Sequence, residues 1–429
     1  MLGCYGSAHR FCLQANALYG SSAWLPALTE VKDAVARHYQ IAPDDLHGSE
    51  HADPSEWPDS GMVRRELYLW NDYEPDRSAV LGQLNHMMQQ VAPKLEVLAV
   101  DLPDLTGNAL GTSKQLGVFT KDDISPGEIV LDETSMLTAN NKLQDALCDA
   151  CSADLPDLSA PEAATTVSCP ACEIVFCSQE CYDHAIEAYH PAVCEQDVDS
   201  IAKDVPPAQA ADSLYSLLLL RSLAMAETQE CHPLDLKEVK YIWADFHSLS
   251  ADSHWQSSTM SKPVQTTLPK TLPFSFENNV RLPLHMLEKM DIDIFASPHA
   301  EVWVFNTLYA KFRGTASARL SGLGGRAIRG PEVSAVHPMW CLANHSCDPN
   351  VGWEWGGSIR FWIKDQRVEW KSAGGETKIK NKAGLKKGEE VLNHYCDVQL
   401  PVHERREWAR GALGGDCQCE RCKWEVGEK

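Results

Sequence analysis

Positive charge is scarce in this 429-residue sequence, where 38 Lys and Arg face 60 Asp and Glu and leave a formal charge of −22. Such a surface cannot neutralise a phosphate backbone, so direct nucleic-acid binding is not expected, and basic partners are favoured through long-range steering. Long apolar runs are missing as well. The longest, Leu214–Leu223, contains Arg221 and suits a buried helix, so no membrane span is expected. The first twenty residues lack the basic-then-apolar order of a secretory signal, because Arg10, Gln14 and Asn16 break their apolar patches. A reducing compartment, nucleus or cytoplasm, is therefore the expected setting, and the sixteen cysteines need a reason other than disulfides. The chain is long enough to fold on its own core without cross-links. No periodic internal repeat is present.

Apolar spacing predicts a helix around Leu28–Tyr39, an acidic, proline-containing linker over Ala42–Ser60, and a helix over Val80–Val91 before Pro93. Leu102–Leu105 leads into a strand beginning at Gln115, and Ile124–Leu131 reads as turn and strand. Helical patterns follow over about 208–250 and at Val302–Phe312, separated by a Ser/Thr/Pro-rich piece at 253–275. Val333–Tyr395 is rich in Trp, Val and Ile with glycine turns and predicts short strands. A last helix is expected over Val402–Ala412. The Gly-Glu turns within Ile124–Val130 and Leu385–Val391 are alike.

The cysteines are clustered. Cys148-x2-Cys151 is followed after seventeen residues by Cys169-x2-Cys172-x4-Cys177-x3-Cys181-x8-His190-x3-Cys194. Eight ligands of these types complete two tetrahedral zinc sites. A Cys-x2-Cys turn aims two thiolates at one metal, and residues four apart share one face of a helical turn. His184 is an alternative to His190, although the gap from His190 to Cys194 fits better. Few large apolar residues lie in the block beyond Ile174, Val175 and Phe176, so metal would supply its folding free energy. Near the C-terminus Cys417-x-Cys419-x2-Cys422 offers three thiolates, one short of a closed site.

The first block, with Phe176-Cys-Ser-Gln-Glu-Cys181, resembles the MYND zinc finger. That resemblance implies interleaved ligands: Cys148, Cys151, Cys177 and Cys181 on one zinc, and Cys169, Cys172, His190 and Cys194 on the other. Asn344-His345-Ser346-Cys347-Asp348-Pro349-Asn350 is similar to the motif of SET domains. So, in order, are Gly117-Val118-Phe119, Pro126-Gly127-Glu128, Gly388-Glu389-Glu390 before Tyr395, and the terminal cysteines. The chain is identified as resembling the SET-and-MYND family of protein lysine methyltransferases. Within that family Cys347 would complete a third zinc with Cys417, Cys419 and Cys422. Eleven metal-bound thiolates would outweigh three zinc dications and deepen the acidic balance. Cys4, Cys12, Cys231, Cys341 and Cys396 would remain thiols.

The implied fold is α+β: a SET β-fold of small curled sheets with a threaded C-terminal crossing, interrupted by a MYND finger and a helical insert and closed by a post-SET zinc segment. The corresponding division is an N-terminal region 1–109, SET pieces 110–147 and 331–400, the finger 148–194, the insert 195–330 and the post-SET segment 401–429. The resemblance implies S-adenosylmethionine held by Gly117, Asn344, His345 and Tyr395, with Tyr395 also the catalytic group. It further implies a basic protein substrate, such as a histone tail, and a finger that binds proline-rich proteins; the chain is expected to act as a monomer. Asn306 resembles a weaker position near the cofactor, and strand alternation turns His394 away from Tyr395. Two departures stand out. The family's Gly-x-Gly before the first strand is here Gln115-Leu116-Gly117, and the aromatics that wall its lysine channel are replaced by Ala412-Leu-Gly-Gly-Asp416, where Asp416 is placed to attract an ammonium. Both departures favour a second reading, an interaction scaffold that has lost transfer.

Overall fold

The computed structural model describes residues 3–20, 24–64, 66–103, 112–141, 147–157, 159–201, 205–243, 247–248, 271–297, 299–320, 330–372, 374–379, 383–413 and 415–427. Most of the Ser/Thr/Pro-rich piece, Leu105 and Gly414 lie outside these residues. Chain contacts divide the molecule into Met1–Tyr68 with Phe246–His285, and Leu69–Asp245 with Met286–Lys429. No helix among the described residues is long and apolar enough to cross a membrane.

In the first unit the helices Tyr5–Tyr19 and Leu25–Tyr39 are followed by two 3-10 turns, and Ser60–Arg64 pairs antiparallel with Thr271–Ser275. The stretch expected as a linker is instead part of this unit's core. Leu46 and Trp57 are buried against Val31 and Val35, and the Trp57 indole donates to His51 O at 2.8 Å. Its prolines start the turns Pro43–Gly48 and Pro54–Glu56, where their missing N–H is no loss.

The second unit holds the chemistry. Helix Leu81–Val91 buries Leu84 and Met88, one turn apart, against strand Leu95–Pro103, and Asn85 clamps that strand by exchanging two hydrogen bonds with Val97 (3.0 and 2.8 Å). Leu95–Pro103 pairs antiparallel with Thr112–Thr120, so this hairpin straddles position 110. Two three-stranded sheets follow, one of Ile129–Thr134, Ser358–Ile363 and Val351–Trp355, the other of Leu137–Asn140, Val333–Val336 and Ser317–Arg319. Helices and small sheets are thus intermixed, as expected of an α+β chain. The similar glycine turns lie side by side: Ile124 and Leu385 exchange backbone hydrogen bonds (2.8 and 2.9 Å), while Gly127 and Gly388 take φ of 76° and 80°, a region open to glycine. Helix Ala210–Thr228 is buried on all sides through Leu217–Leu220, and its Arg221 stacks on the Tyr189 ring at 3.5 Å and donates to Asp149 O at 2.8 Å. That cation joins the cysteine block to the helical insert.

Strand Ile129–Thr134 also carries a buried acceptor, Glu133. Its carboxyl oxygens accept the Met339 and Trp340 N–H groups at 3.1 and 2.8 Å, fixing the turn Trp340–Leu342 that leads into Asn344. Burial raises the Glu133 pKa from 4.5 to about 7. The folded chain therefore keeps this proton where the unfolded chain has released it, and stability falls as pH rises through that window. Relative to wild type, Glu133→Gln should lose about 2 kcal/mol of its destabilisation between pH 5.5 and 8. Thermal unfolding of both proteins across that range checks this; a gap independent of pH would mean that Glu133 is ionised throughout.

Candidate metal centres and cofactor site

Two knuckles organise the first cysteine block. Ser152 N donates to Cys148 O at 2.9 Å and Glu173 N to Cys169 O at 3.0 Å, and both donors take positive φ, 61° and 62°. These turns fold each Cys-x2-Cys pair onto one centre. Cys177 and Cys181 flank the start of helix Gln179–Ala188, where Ser178 Oγ caps by accepting Cys181 N–H at 3.2 Å. Cys194 N donates to His190 O at 2.8 Å, closing a turn that brings the last two ligands together. The buried Phe176 ring meets Tyr182 and His190 edge-on and fills the small space between the centres.

The interleaved pairing is the one observed. Ligand atoms of Cys148, Cys151, Cys177 and Cys181 lie within 4.8 Å of one another, as do those of Cys169, Cys172, His190 and Cys194. Sγ separations are 3.8 Å for Cys151–Cys177, 3.5 Å for Cys177–Cys181 and 3.8 Å for Cys169–Cys194, and Cys172 Sγ is 3.5 Å from His190 Nε2. A tetrahedral zinc with bonds of about 2.3 Å to sulfur and 2.0 Å to nitrogen requires edges of about 3.8 and 3.5 Å. The donor sets fit. Without a cation they frustrate one another: thiol hydrogen bonds from Cys151, Cys177 and Cys181 hold Cys148 low, while the bonds with Cys148, Cys177 and Cys181 push Cys151 up. A central dication would let all four ionise. All sixteen cysteines are unpaired as disulfides.

Cys347, Cys417, Cys419 and Cys422 form the third cluster, with Cys347 Sγ 3.9 Å from Cys417 and 3.4 Å from Cys422. Sequence reasoning missed the two buried arginines around it. Arg405 donates to Cys422 Sγ at 3.7 Å and to Glu425, and Arg421 donates to Glu425 at 2.8 Å, to Cys347 O at 2.7 Å and to Val398 O at 2.9 Å. Four thiolates around a dication carry two negative charges and Glu425 adds a third, of which the two guanidiniums offset two. Their signal was their place beside the cysteines, Arg405 on helix Val402–Leu413 and Arg421 between Cys419 and Cys422.

Asn344 and Tyr395 meet where segment 389–395 runs between two others. Val391 N donates to Val118 O at 2.7 Å on one side, and Asn393 N to Asn344 O at 2.8 Å on the other. Asn344 Nδ2 donates to Leu116 O at 3.0 Å and to Glu390 Oε1 at 2.8 Å. A Cβ on Gly117 would come within 2.8 Å of Glu390 Oε1 and 3.1 Å of Asn344 Nδ2, so a larger residue would displace the Glu390–Asn344 pair. Glu390, whose pKa burial raises, is a site residue that sequence reasoning left unnamed within the Gly-Glu-Glu turn. His345 Nδ1 accepts Tyr395 N–H at 3.0 Å, which puts the proton of the neutral ring on Nε2, 3.4 Å from Cys347 Sγ. Burial lowers the His345 pKa to about 4, in keeping with a neutral ring. Although His345, Cys347 and Cys396 lie close enough to hold a metal, that tautomer makes His345 a donor to the thiolate rather than a ligand. Tyr395 lies tilted against His345, ring centroids 5.2 Å apart, and its hydroxyl donates to Ala343 O at 3.0 Å.

Other candidates stand apart. His394 stacks on Trp353, centroids 5.9 Å apart. Asn306 is buried within helix Val302–Thr315. Asp416, expected to draw an ammonium, accepts instead from Arg410 at 2.6 Å, which spends its charge on the protein's own cation.

A SET domain profile matches residues 115–396, more than half of the sequence. The chain belongs to the SET domain family. The match begins at Gln115 and ends just past Tyr395, so it spans every group of the cofactor-side constellation and excludes residues 1–114. The human N-lysine methyltransferase SMYD2 is 28% identical over 89 residues, 21% of this SET protein and 17% of the relative. The chain thus matches about a sixth of that relative's length.

Metal analysis should find three zinc ions per chain, with Cys172→Ser and Cys419→Ser each losing one. Fewer than three in the wild-type protein would contradict at least one of the clusters.

Proposed function

We propose that this protein methylates lysine side chains of basic proteins, using S-adenosylmethionine. The observation that carries the reading is that segment 389–395 packs Glu390 and Tyr395 against the motif: Asn344 donates to Leu116 O and Glu390 Oε1, and His345 accepts Tyr395 N–H. When bound, the cofactor supplies a methyl group on a positively charged sulfur. Gly117 and Asn344 would hold it, the first by bare backbone and the second by a carboxamide already fixed on Leu116 O and Glu390. His345 braces Tyr395 through its backbone N–H. The Tyr395 hydroxyl is oriented by its bond to Ala343 O, so its oxygen is set to accept from an incoming amine.

That amine must arrive neutral, whereas free lysine has a pKa of about 10.4; a partly dry channel that disfavours the ammonium supports its deprotonation. Positioning and electrostatics then supply most of the acceleration. The surplus of acidic residues favours lysine-rich substrates through steering, with histone tails and other basic nuclear or cytosolic proteins as the class. The interleaved centres of 148–194 support a MYND-type zinc finger, both sites closed and structural, that recruits proline-rich partners to a monomeric enzyme.

Transfer of labelled methyl groups from S-adenosylmethionine to core histones and ribosomal proteins tests the reading. Zinc-loaded wild type should label lysine, and Tyr395→Phe should lower the rate about 100-fold, as loss of one oriented active-site hydroxyl does. A folded, zinc-replete protein that labels none of a broad set of basic proteins would leave an interaction scaffold.

A further inference from the structure

Asn344 has its carboxamide nitrogen committed twice. Nδ2 donates to Leu116 O at 3.0 Å and to Glu390 Oε1 at 2.8 Å, a backbone carbonyl and a carboxyl oxygen. Turning the amide over would lose both bonds and set Oδ1 against two oxygens, so the network fixes which end of the carboxamide faces inward. Burial disfavours charge on Glu390, and its bond from Asn344 opposes that effect, so each side chain holds the other in place.

The two acceptors are themselves held. Leu116 lies opposite Ala99 in the hairpin of Leu95–Pro103 and Thr112–Thr120. Glu390 bridges to Phe119, and its carbonyl accepts Asn350 Nδ2 at 2.8 Å. Gly117 leaves the room that the pair occupies, since a Cβ there would meet both Glu390 Oε1 and Asn344 Nδ2. Asn344 O is used as well, accepting Asn393 N–H at 2.8 Å. The side-chain oxygen remains. It accepts from no group among the described residues, and Asn344 is half-buried rather than enclosed. What Asn344 offers a ligand through its side chain is therefore an acceptor.

We propose that Glu390 is a positioning residue, which holds the Asn344 carboxamide with Oδ1 toward the methyl donor and so selects a hydrogen-bond donor group there rather than the α-carboxylate. The proposal rests on the methyl-donor reading of this site. S-adenosylmethionine has such donor groups at its α-ammonium and on its nucleoside, while its carboxylate can only accept. Without Glu390 the amide keeps one fixed bond, to Leu116 O, and loses the second that pins its plane.

Calorimetry with two probes tests this. S-adenosylhomocysteine has the amino-acid end, and 5′-methylthioadenosine keeps the nucleoside without it. Glu390→Ala should weaken S-adenosylhomocysteine about 10-fold, the scale of one hydrogen bond, and Glu390→Gln, whose side-chain oxygen still accepts from Asn344, should stay within about threefold of wild type. In an Asn344→Ala background the further change Glu390→Ala should alter binding less than about twofold, because the residue acts through Asn344. Weakening of S-adenosylhomocysteine alone assigns the contact to the α-ammonium, and weakening of both probes assigns it to the nucleoside. Unchanged binding in Glu390→Ala, failure of Glu390→Gln to restore it, or an undiminished loss in the Asn344→Ala background overturns the positioning role while leaving the methyl-donor reading intact. Failure of wild type to bind either probe overturns that reading and this proposal with it.

Discussion

Backbone and side-chain hydrogen bonds to one short segment, residues 389–395, hold the candidate site together. Toward the first hairpin, Val391 N donates to Val118 O and Thr120 N to Glu389 O; toward the motif segment, Asn393 N donates to Asn344 O and Ser346 N to Asn393 O. Asn350 adds a reciprocal clamp, its carboxamide donating to Glu390 O and accepting Leu392 N–H, both at 2.8 Å. Buried peptide groups must be satisfied, so this segment has one place in the fold and no alternative register. Gly117, Asn344, Glu390 and Tyr395 belong to three separate stretches of chain, yet their relative positions follow from that one placement.

The third cysteine cluster fastens the ends of the same arrangement. Cys347 follows His345 by two residues, Cys396 directly follows Tyr395, and both are buried in one cluster with Cys417 and Cys422. Arg421 ties this further by donating to Cys347 O and Val398 O, the first on the motif segment and the second just beyond Tyr395. Metal bound there would contribute its binding free energy to a short C-terminal segment with little apolar core of its own. The two centres of the first block serve a different end. The Arg221–Tyr189–Asp149 network fixes the cysteine block to helix Ala210–Thr228.

Ligand spacing was the most legible part of the sequence, because Cys-x2-Cys turns and four-residue helical steps are local geometry that no distant packing overrides. Helices at Leu25–Tyr39, Leu81–Val91 and Val402–Leu413 were likewise carried by apolar period and capping signals. The core role of Leu46 and Trp57 was hidden, since two apolar residues among prolines and acids carry no periodicity. Glu390, Arg405 and Arg421 were hard to read as site residues for a common reason. Each is a charged side chain with at least one partner well away in sequence, Asn344 for Glu390, Glu425 for Arg405 and Cys347 O for Arg421, and on composition alone each reads as solvated surface. Gln115 showed the opposite limit: its departure from glycine was visible, while Arg77, which donates to its carboxamide oxygen, lies 38 residues away.

The central claim is that the third metal cluster and the cofactor cradle are one cooperative unit through segment 389–395. Hydrogen exchange followed by mass spectrometry, on a peptide covering 388–397, tests it most directly. Cys422→Ser, which opens the third cluster, should speed exchange there at least about tenfold, because local opening free energy falls with the lost metal, while Cys172→Ser in the first cysteine block should leave it slow. Equally slow exchange in both variants would contradict the account.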